Sequence, residues 1–186
     1  MRTSGRLQRK SLTDQERNDM SEAIAKRYLE CFVIERPKVV HLFLPIVNLL
    51  EVNTMLILEH LNTYYPEVKT VTSIIADDQS TLLTVEVRYD SLMVKNEWGI
   101  PEPANRMFCN EKEIDEVLTP LLAVDLKGFR VGYGKGFYDR FFERCSSHVK
   151  KTGLNYFKPI SELVVHDTWD IALTRLIEPE SIILFD

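Results

Sequence analysis

Between Lys127 and Arg144 the chain reads KGFRVGYGKGFYDRFFER, and no other stretch restricts the possible folds so sharply. Four of the protein's seven glycines fall here, at positions 128, 132, 134 and 136, and the last three alternate. A packed strand or helix interior would not select that spacing, because each glycine there costs about 0.5–1 kcal/mol relative to alanine. Alternate glycines instead let backbone N–H groups approach a ligand with no Cβ in the way. Phe137-Tyr138-Asp139-Arg140-Phe141-Phe142 then opens an amphipathic helix. A glycine-rich loop feeding a helix N-terminus makes an anion site through free N–H groups and the helix dipole.

The charges agree with an anion. Lys127, Arg130, Lys135, Arg140 and Arg144 outweigh Asp139 and Glu143 in this segment, although the whole chain has a formal net charge of −5. A local basic patch on an acidic protein suits a small anion better than a nucleic-acid groove. Tyr133, Phe137 and Tyr138, set between and after the glycines, argue against a merely solvated linker. The common phosphate motifs do not fit. Gly136 rather than Ser or Thr follows Gly134-Lys135, which excludes a Walker A loop. The spacing is G-x-G-x-G and not the G-x-G-x-x-G of dinucleotide-binding folds, and the kinase H-R-D and D-F-G sequences are absent.

The stretch Gly128-Phe-Arg-Val-Gly-Tyr-Gly-Lys-Gly-Phe-Tyr-Asp139-Arg140 resembles the signature of the 5-formyltetrahydrofolate cyclo-ligases, or 5,10-methenyltetrahydrofolate synthetases, approximately G-x-R-L-G-x-G-x-G-Y-Y-D. Four further stretches carry the same likeness. Glu51-Val52-Asn53-Thr54 resembles the family's E-V-D-T, with Asn53 in place of Asp. Trp98-Gly99-Ile100-Pro101-Glu102-Pro103 is similar to its F-G-I-x-E-P, and Val165 to Asp170 to its late x-D-x-x-x-D. Near the start, Met1-Arg2 falls where the L-R of a K-x-x-L-R element would lie; the family's lysine would precede residue 1, leaving a longer N-terminus or another base such as Arg6 to supply it.

This resemblance implies an α/β fold, a single domain over 1–186 with an open, mostly parallel sheet flanked by helices, in the NagB/RpiA/CoA-transferase-like manner. It implies ATP as co-substrate, Mg²⁺, and 5-formyltetrahydrofolate as the small-molecule substrate. Lys135 and Arg130 become the candidate catalytic residues. Arg2, Arg130, Val131, Gly132, Tyr133, Gly134, Lys135, Gly136, Phe137 and Tyr138 become nucleotide-binding residues. Glu51, Tyr133, Gly134, Lys135, Gly136 and Phe137 would face the folate, and Asp139 and Asp167 would hold the metal. Magnesium favours one or two carboxylates plus phosphates and waters. Read without the resemblance, Glu51 and Asp139 are first-turn helix acids and Asp167 is a turn residue. Two other readings stay open: a non-catalytic folate- or nucleotide-binding relative, and a sugar-phosphate isomerase on a similar scaffold.

Length and composition fit this picture. At 186 residues the chain can bury a core without staples. Cys31, Cys109 and Cys145 are widely spaced and odd in number, which favours reduced thiols over a disulfide framework. Scattered histidines give no zinc pattern. No apolar run approaches the roughly 20 residues of a membrane span, and the N-terminus lacks a signal-peptide core. The expectation is a cytoplasmic monomer or small homo-oligomer that binds neither membrane nor nucleic acid.

Along the chain, basic residues 1–13 read either as a frayed tail or as the phosphate-reaching element. Thr13 and Glu16 form a capping box, starting a helix to about Leu29 with Met20, Ile24, Tyr28 and Ala23 on its buried side. Lys38–Leu44 predicts a buried parallel strand and Val52–Tyr64 a helix. Val68–Ala76 and Thr81–Tyr89 predict a hairpin turning at residues 77–80. The prolines around Gly99 predict a rigid turn holding Trp98 and Glu102, as a cap on the sheet or against a ligand. Leu118–Val124 predicts a strand entering the glycine loop, residues 137–145 a helix, and 154–157, 163–165 and 182–185 short strands.

Overall fold

The computed structural model describes residues 1–96 and 99–185; Trp98, named above, lies outside them. In chain order come α1 (Arg2–Ser11), α2 (Asp14–Glu35), β1 (Val39–His41), α3 (Met55–Tyr64), β2 (Lys69–Ile75) and β3 (Leu82–Glu86). There follow β4 (Met93–Lys95), β5 (Pro101–Pro103), β6 (Glu116–Pro120), β7 (Ala123–Val124), β8 (Arg130–Val131) and α4 (Phe137–Arg144). The chain closes with β9 (Lys150–Leu154), β10 (Arg175–Ile177) and β11 (Ile182–Leu184).

Seven strands form one sheet in the order β11-β10-β9-β6-β1-β2-β3. The five central strands are parallel, and β3 and β11 run antiparallel at the two edges. Neighbouring residues of the central strands enter opposite cores: Leu118 joins Ile24, Tyr28, Phe32, Ile57, Leu58 and Leu61 of α2 and α3, whereas Val117 joins Phe141 and Phe142 of α4. Burial on both faces is why the stretches around β1 and from β6 into β7 read as near-continuous apolar runs rather than alternating ones. The sheet is thus α/β, mostly parallel and flanked by helices.

Thr13 caps α2 as its sequence predicts, accepting from Glu16 N while the Glu16 carboxylate accepts from Thr13 N. The helix runs past Leu29 to Glu35 because Phe32 adds another fully buried turn, and it stops where Arg36 turns left-handed ahead of Pro37. Residues 2–11 are helix α1 rather than a frayed tail. Gly5 lets that helix approach closely: a Cβ there would stand 2.7 Å from Leu122 O.

The predicted strand Leu118–Val124 is two strands. β6 stops at Pro120, which has no N–H to donate, and β7 pairs with β8 in a separate antiparallel ribbon. Asp125 closes that ribbon. Its Oδ1 accepts from Lys127 N (2.9 Å) and Phe129 N (3.0 Å), and its Oδ2 from Val164 N (2.9 Å). The next strand is β9 at 150–154 rather than 154–157, because Thr152 is drawn inward to donate to Glu116 Oε1 at 2.5 Å. Residues 163–165 form no strand. β10 contains Arg175, whose guanidinium is buried against Glu116 and Glu35, and the charge hides the strand from a hydropathy reading. The proline turn around Gly99 is flanked by a small hairpin, β4 with β5, in which Glu102 is 3% exposed and tied to Asn96, Arg106 and Ile75 N.

Candidate functional site

Beyond the carboxyl ends of the parallel strands, where ligands sit in open α/β sheets, lies a cavity of about 970 Å³. Its wall includes Arg2 of α1, Glu51, the whole run from Arg130 to Asp139, and Asp167. The nominated catalytic, nucleotide-binding, folate-binding and metal-binding residues therefore border one space, although they come from four separate parts of the chain; Arg6 and Glu102 do not line it.

The glycine loop earns its composition at two positions. Gly134 and Gly136 take φ of +90° and +61°, a region that side chains disfavour, and Gly136 is the N-cap of α4. Arg2 lies along the loop: its Nε donates to Gly132 O at 3.3 Å, and its guanidinium carbon would stand 3.2 Å from a Cβ on Gly134. Lys135 is exposed, and no hydrogen bond or ion pair holds its ammonium group among the described residues. A loop of this kind can present an exposed ammonium, a guanidinium lying along its backbone and backbone donors to one anion.

At the other end of the loop, Arg130 Nη2 meets Asp139 Oδ1 at 2.7 Å, and the same oxygen accepts from Ile171 N at 3.1 Å. Arg130 is further fixed by donating to Ile171 O and by lying over the Phe142 ring at 5.1 Å. Asp167 is exposed, its amide held by the Asp170 carboxylate at 2.7 Å. Asp139 Oδ2 and the Asp167 carboxylate have no hydrogen-bond partner among the described residues. No cluster of three or more His, Cys, Asp or Glu side chains able to hold a metal exists among them either. That donor set fits a hard cation shared with a ligand's phosphates and water, which needs only one or two carboxylates.

Glu51 closes the apolar side of the cavity. It is 8% exposed, accepting from Ile46 N at 2.8 Å and from the Tyr133 hydroxyl at 2.6 Å. Burial pushes its carboxyl above the ordinary range, and those two hydrogen bonds with the charge of Arg9 draw it back. Tyr138 is turned towards the core, where burial raises its phenol, and its ring meets His41 edge-on at 6.1 Å. Phe137 lies beneath Arg140 at 5.7 Å.

Some of the site was missed. Arg9, buried at 1% exposure, donates to Tyr133, Leu49 O and Leu121 O. Arg2, Gly5 and Arg9 lie on one helix face at i, i+3 and i+7, a signal available once residues 2–11 are read as helical. Tyr156 donates to Glu51 O at 2.9 Å, and Ser73, which lines the cavity, is bonded to buried His41 at 2.7 Å. Trp169 and Val165 also line the cavity, on an irregular loop that offers no periodic pattern.

Residues 1–175 match the family model described as the 5-formyltetrahydrofolate cyclo-ligase family. The chain belongs to that family. It is a family of ligases acting in folate one-carbon chemistry. The cyclo-ligase of Haemophilus influenzae is 28% identical over 183 residues, covering 93% of this chain and 92% of its own, and that of Escherichia coli K12 is 26% identical over 186 residues, covering 95% and 97%. A probable cyclo-ligase of Schizosaccharomyces pombe is 32% identical over 103 residues, and there the match spans about half of each protein, 47% of this chain and 50% of the relative. The fold is that of the Aquifex aeolicus 5,10-methenyltetrahydrofolate synthetase, with a TM-score of 0.82 at 24% identity over 98% of this chain and 90% of that one. The Mycoplasma pneumoniae synthetase aligns with a TM-score of 0.76 at 21% identity, over 96% of each chain. No helix among the described residues of this cyclo-ligase relative is long and apolar enough to cross a membrane.

Proposed function

We propose that this protein closes 5-formyltetrahydrofolate to 5,10-methenyltetrahydrofolate with consumption of ATP, acting as a single domain in the presence of Mg²⁺. The observation that supports this reading is the cavity itself, which joins a cationic glycine loop to a buried carboxylate. One end suits a triphosphate and the other a flat heterocycle with N–H donors.

The chemical difficulty lies in the formyl group. On nitrogen it is amide-like, so its carbon is a poor electrophile and its oxygen a poor leaving group. The formyl oxygen attacks the γ-phosphorus, the bond to the ADP oxygen breaks, and the oxygen becomes a phosphate ester. The 10-nitrogen then adds to the carbon, closing the five-membered ring, its proton passes to solvent or to the departing phosphate, and the C–O bond breaks as inorganic phosphate leaves. No protein nucleophile is required, so positioning and charge stabilisation supply the catalysis. In this reading Lys135, Arg130, Arg2 and the amides of residues 132–136 stabilise the transferring phosphoryl group. Glu51 accepts from the folate's N–H edge, with Tyr133 and Phe137 beside the ring. Asp139 and Asp167 would hold the Mg²⁺, which supplies neutralisation of phosphate charge.

The test is the absorbance of the methenyl product on mixing purified protein with 5-formyltetrahydrofolate, ATP and Mg²⁺. A rise that requires all three is the expected result. Binding of the folate without turnover would favour the non-catalytic reading, and turnover of a sugar phosphate without ATP would favour an isomerase.

A further inference from the structure

Arg9 is almost wholly buried, yet no carboxylate among the described residues lies within ion-pair distance of its guanidinium. Its Nη1 donates to Tyr133 Oη at 3.0 Å and to Leu49 O at 3.3 Å, its Nη2 donates to Leu121 O, and its Nε has no partner. A buried cation needs a compensating charge. The route to one runs through Tyr133, which accepts from Arg9 and donates to Glu51 Oε1 at 2.6 Å. Three loops thereby meet on one side chain: the segment before Glu51, the break between β6 and β7, and the glycine loop.

We infer that Arg9 is a positioning residue that clamps the glycine loop to the 46–51 loop through Tyr133, so that the two halves of the cavity move as one body. The clamp follows from the hydrogen bonds alone; what each half binds rests on the function proposed above. The helix that carries Arg9 is itself pinned, because Gly5 brings its backbone against Leu122. A nucleotide that orders the glycine loop then also orders Glu51, and by linkage the folate strengthens nucleotide binding by the same factor.

The ionisable groups around Glu51 are Arg9 from α1, Tyr133 from the glycine loop, Tyr138 from α4 and Tyr156 after β9. Arg9 is the cation among them. Its loss leaves the Glu51 carboxylate easier to protonate, so folate affinity in Arg9→Met begins to fall at a higher pH than it does in the wild type.

The experiment is amide hydrogen exchange on the ligand-free protein, comparing wild type, Arg9→Lys, Arg9→Met, Tyr133→Phe and the Arg9→Met/Tyr133→Phe double variant. Losing a hydrogen bond to a charged group corresponds to roughly 10- to 100-fold, so exchange in segments 46–51 and 130–136 is expected to rise together by that order. The double variant should add little to either single change, because both act through one chain of contacts. Lysine retains the charge but not the planar fork that reaches three acceptors, and should loosen the same two segments. The inference is overturned if only one segment responds, if the two changes add, or if exchange rises evenly throughout the protein, as simple destabilisation would produce. Should Arg9→Met fail to fold, Tyr133→Phe alone decides, since the clamp requires it to loosen residues 46–51 far away in sequence. Failure of the wild type to bind 5-formyltetrahydrofolate would sink the proposed reaction and leave the exchange result standing.

Discussion

Arg130 and Asp139 hold each other across the end of the glycine loop, Nη2 to Oδ1 at 2.7 Å, with both side chains largely shielded from water. One of the proposed phosphate-stabilising cations is therefore already braced by one of the proposed metal ligands. Removing one member of a shielded ion pair leaves the other charge uncompensated, at a cost of about 3 kcal/mol. Arg130→Met is expected to lower the unfolding free energy by about that much, as measured by urea denaturation. Stability within 1 kcal/mol of wild type would show the pair to be structurally idle.

Asp139→Asn keeps the shape and the hydrogen bond to Arg130 but removes a charge from the proposed metal site. It is expected to raise the Mg²⁺ concentration for half-maximal turnover roughly tenfold, a loss of about 1.4 kcal/mol in binding. A magnesium titration of the rate at saturating ATP and folate measures this. An unchanged midpoint would remove Asp139 from the site, and Asp167→Asn tests the other carboxylate in the same way.

Lys135 is exposed and holds nothing in place, so Lys135→Ala should leave the thermal midpoint where it is. Loss of one preorganised charge donor lowers kcat by roughly 10²–10³. Steady-state kinetics beside a melting curve separates the two effects, and wild-type turnover would exclude Lys135 from the mechanism.

Glu51 carries a built-in conflict between folding and binding. Burial raises its carboxyl above the ordinary value of 4.5, so the native state binds its proton more tightly than the unfolded state does. Its contribution to stability is therefore lost as the pH rises through that value and remains lost at neutrality. Glu51→Gln is expected to weaken this pH dependence between about pH 4 and pH 7, to lower the melting temperature at pH 7 because Arg9 loses the charge that compensates it through Tyr133, and to bind folate at least tenfold more weakly. Calorimetry at the two pH values checks the first two statements and equilibrium binding the third.

His41 works in the opposite sense. Full burial lowers its imidazole from 6.5 to about 3, so the folded state keeps it neutral while the unfolded state takes up a proton near 6.5. Stability is complete above that value and declines as pH falls towards about 3, by up to roughly 1.4 kcal/mol per pH unit. His41→Gln, which can still reach Ser73, should flatten this decline. Urea midpoints at pH 7 and pH 5 give the comparison; equal slopes in wild type and variant would refute it.

The sequence made some of this legible and hid the rest for physical reasons. The capping box of α2, the 77–80 hairpin and the glycine loop are local, decided by residues within a few positions of one another, and each could be read directly. The helix of residues 2–11 could not, because its mean composition is that of a basic tail and only its contacts with Leu121, Leu122 and Gly132 make it order. β9 and β10 are obscured by Lys150, Thr152 and Arg175, whose polarity is satisfied by Glu116 and Glu35 from distant parts of the chain and by the Arg175–Thr152 hydrogen bond between the two strands. In the site, the anion-binding character of the glycine loop is legible from its own residues, whereas Arg2, Glu51 and Asp167 are nominated through family likeness. Arg9 is not, because a buried arginine on a basic helix looks like its solvated neighbours until its acceptors are placed around it.

The hydrogen bonds of Arg9 and Tyr133 join residues 112 and 82 positions apart. Contacts of such separation form late, since the closure entropy of the intervening chain must be met before they contribute. During synthesis, α1 and the segment around Glu51 emerge long before the glycine loop exists to receive them. A folding intermediate whose glycine loop has not yet docked lacks the completed cavity, whatever core it has already formed, and so has no site for either proposed substrate. Ligands of the completed cavity consequently stabilise the whole native molecule by mass action, and bound substrate acts as a report that the chain has finished folding.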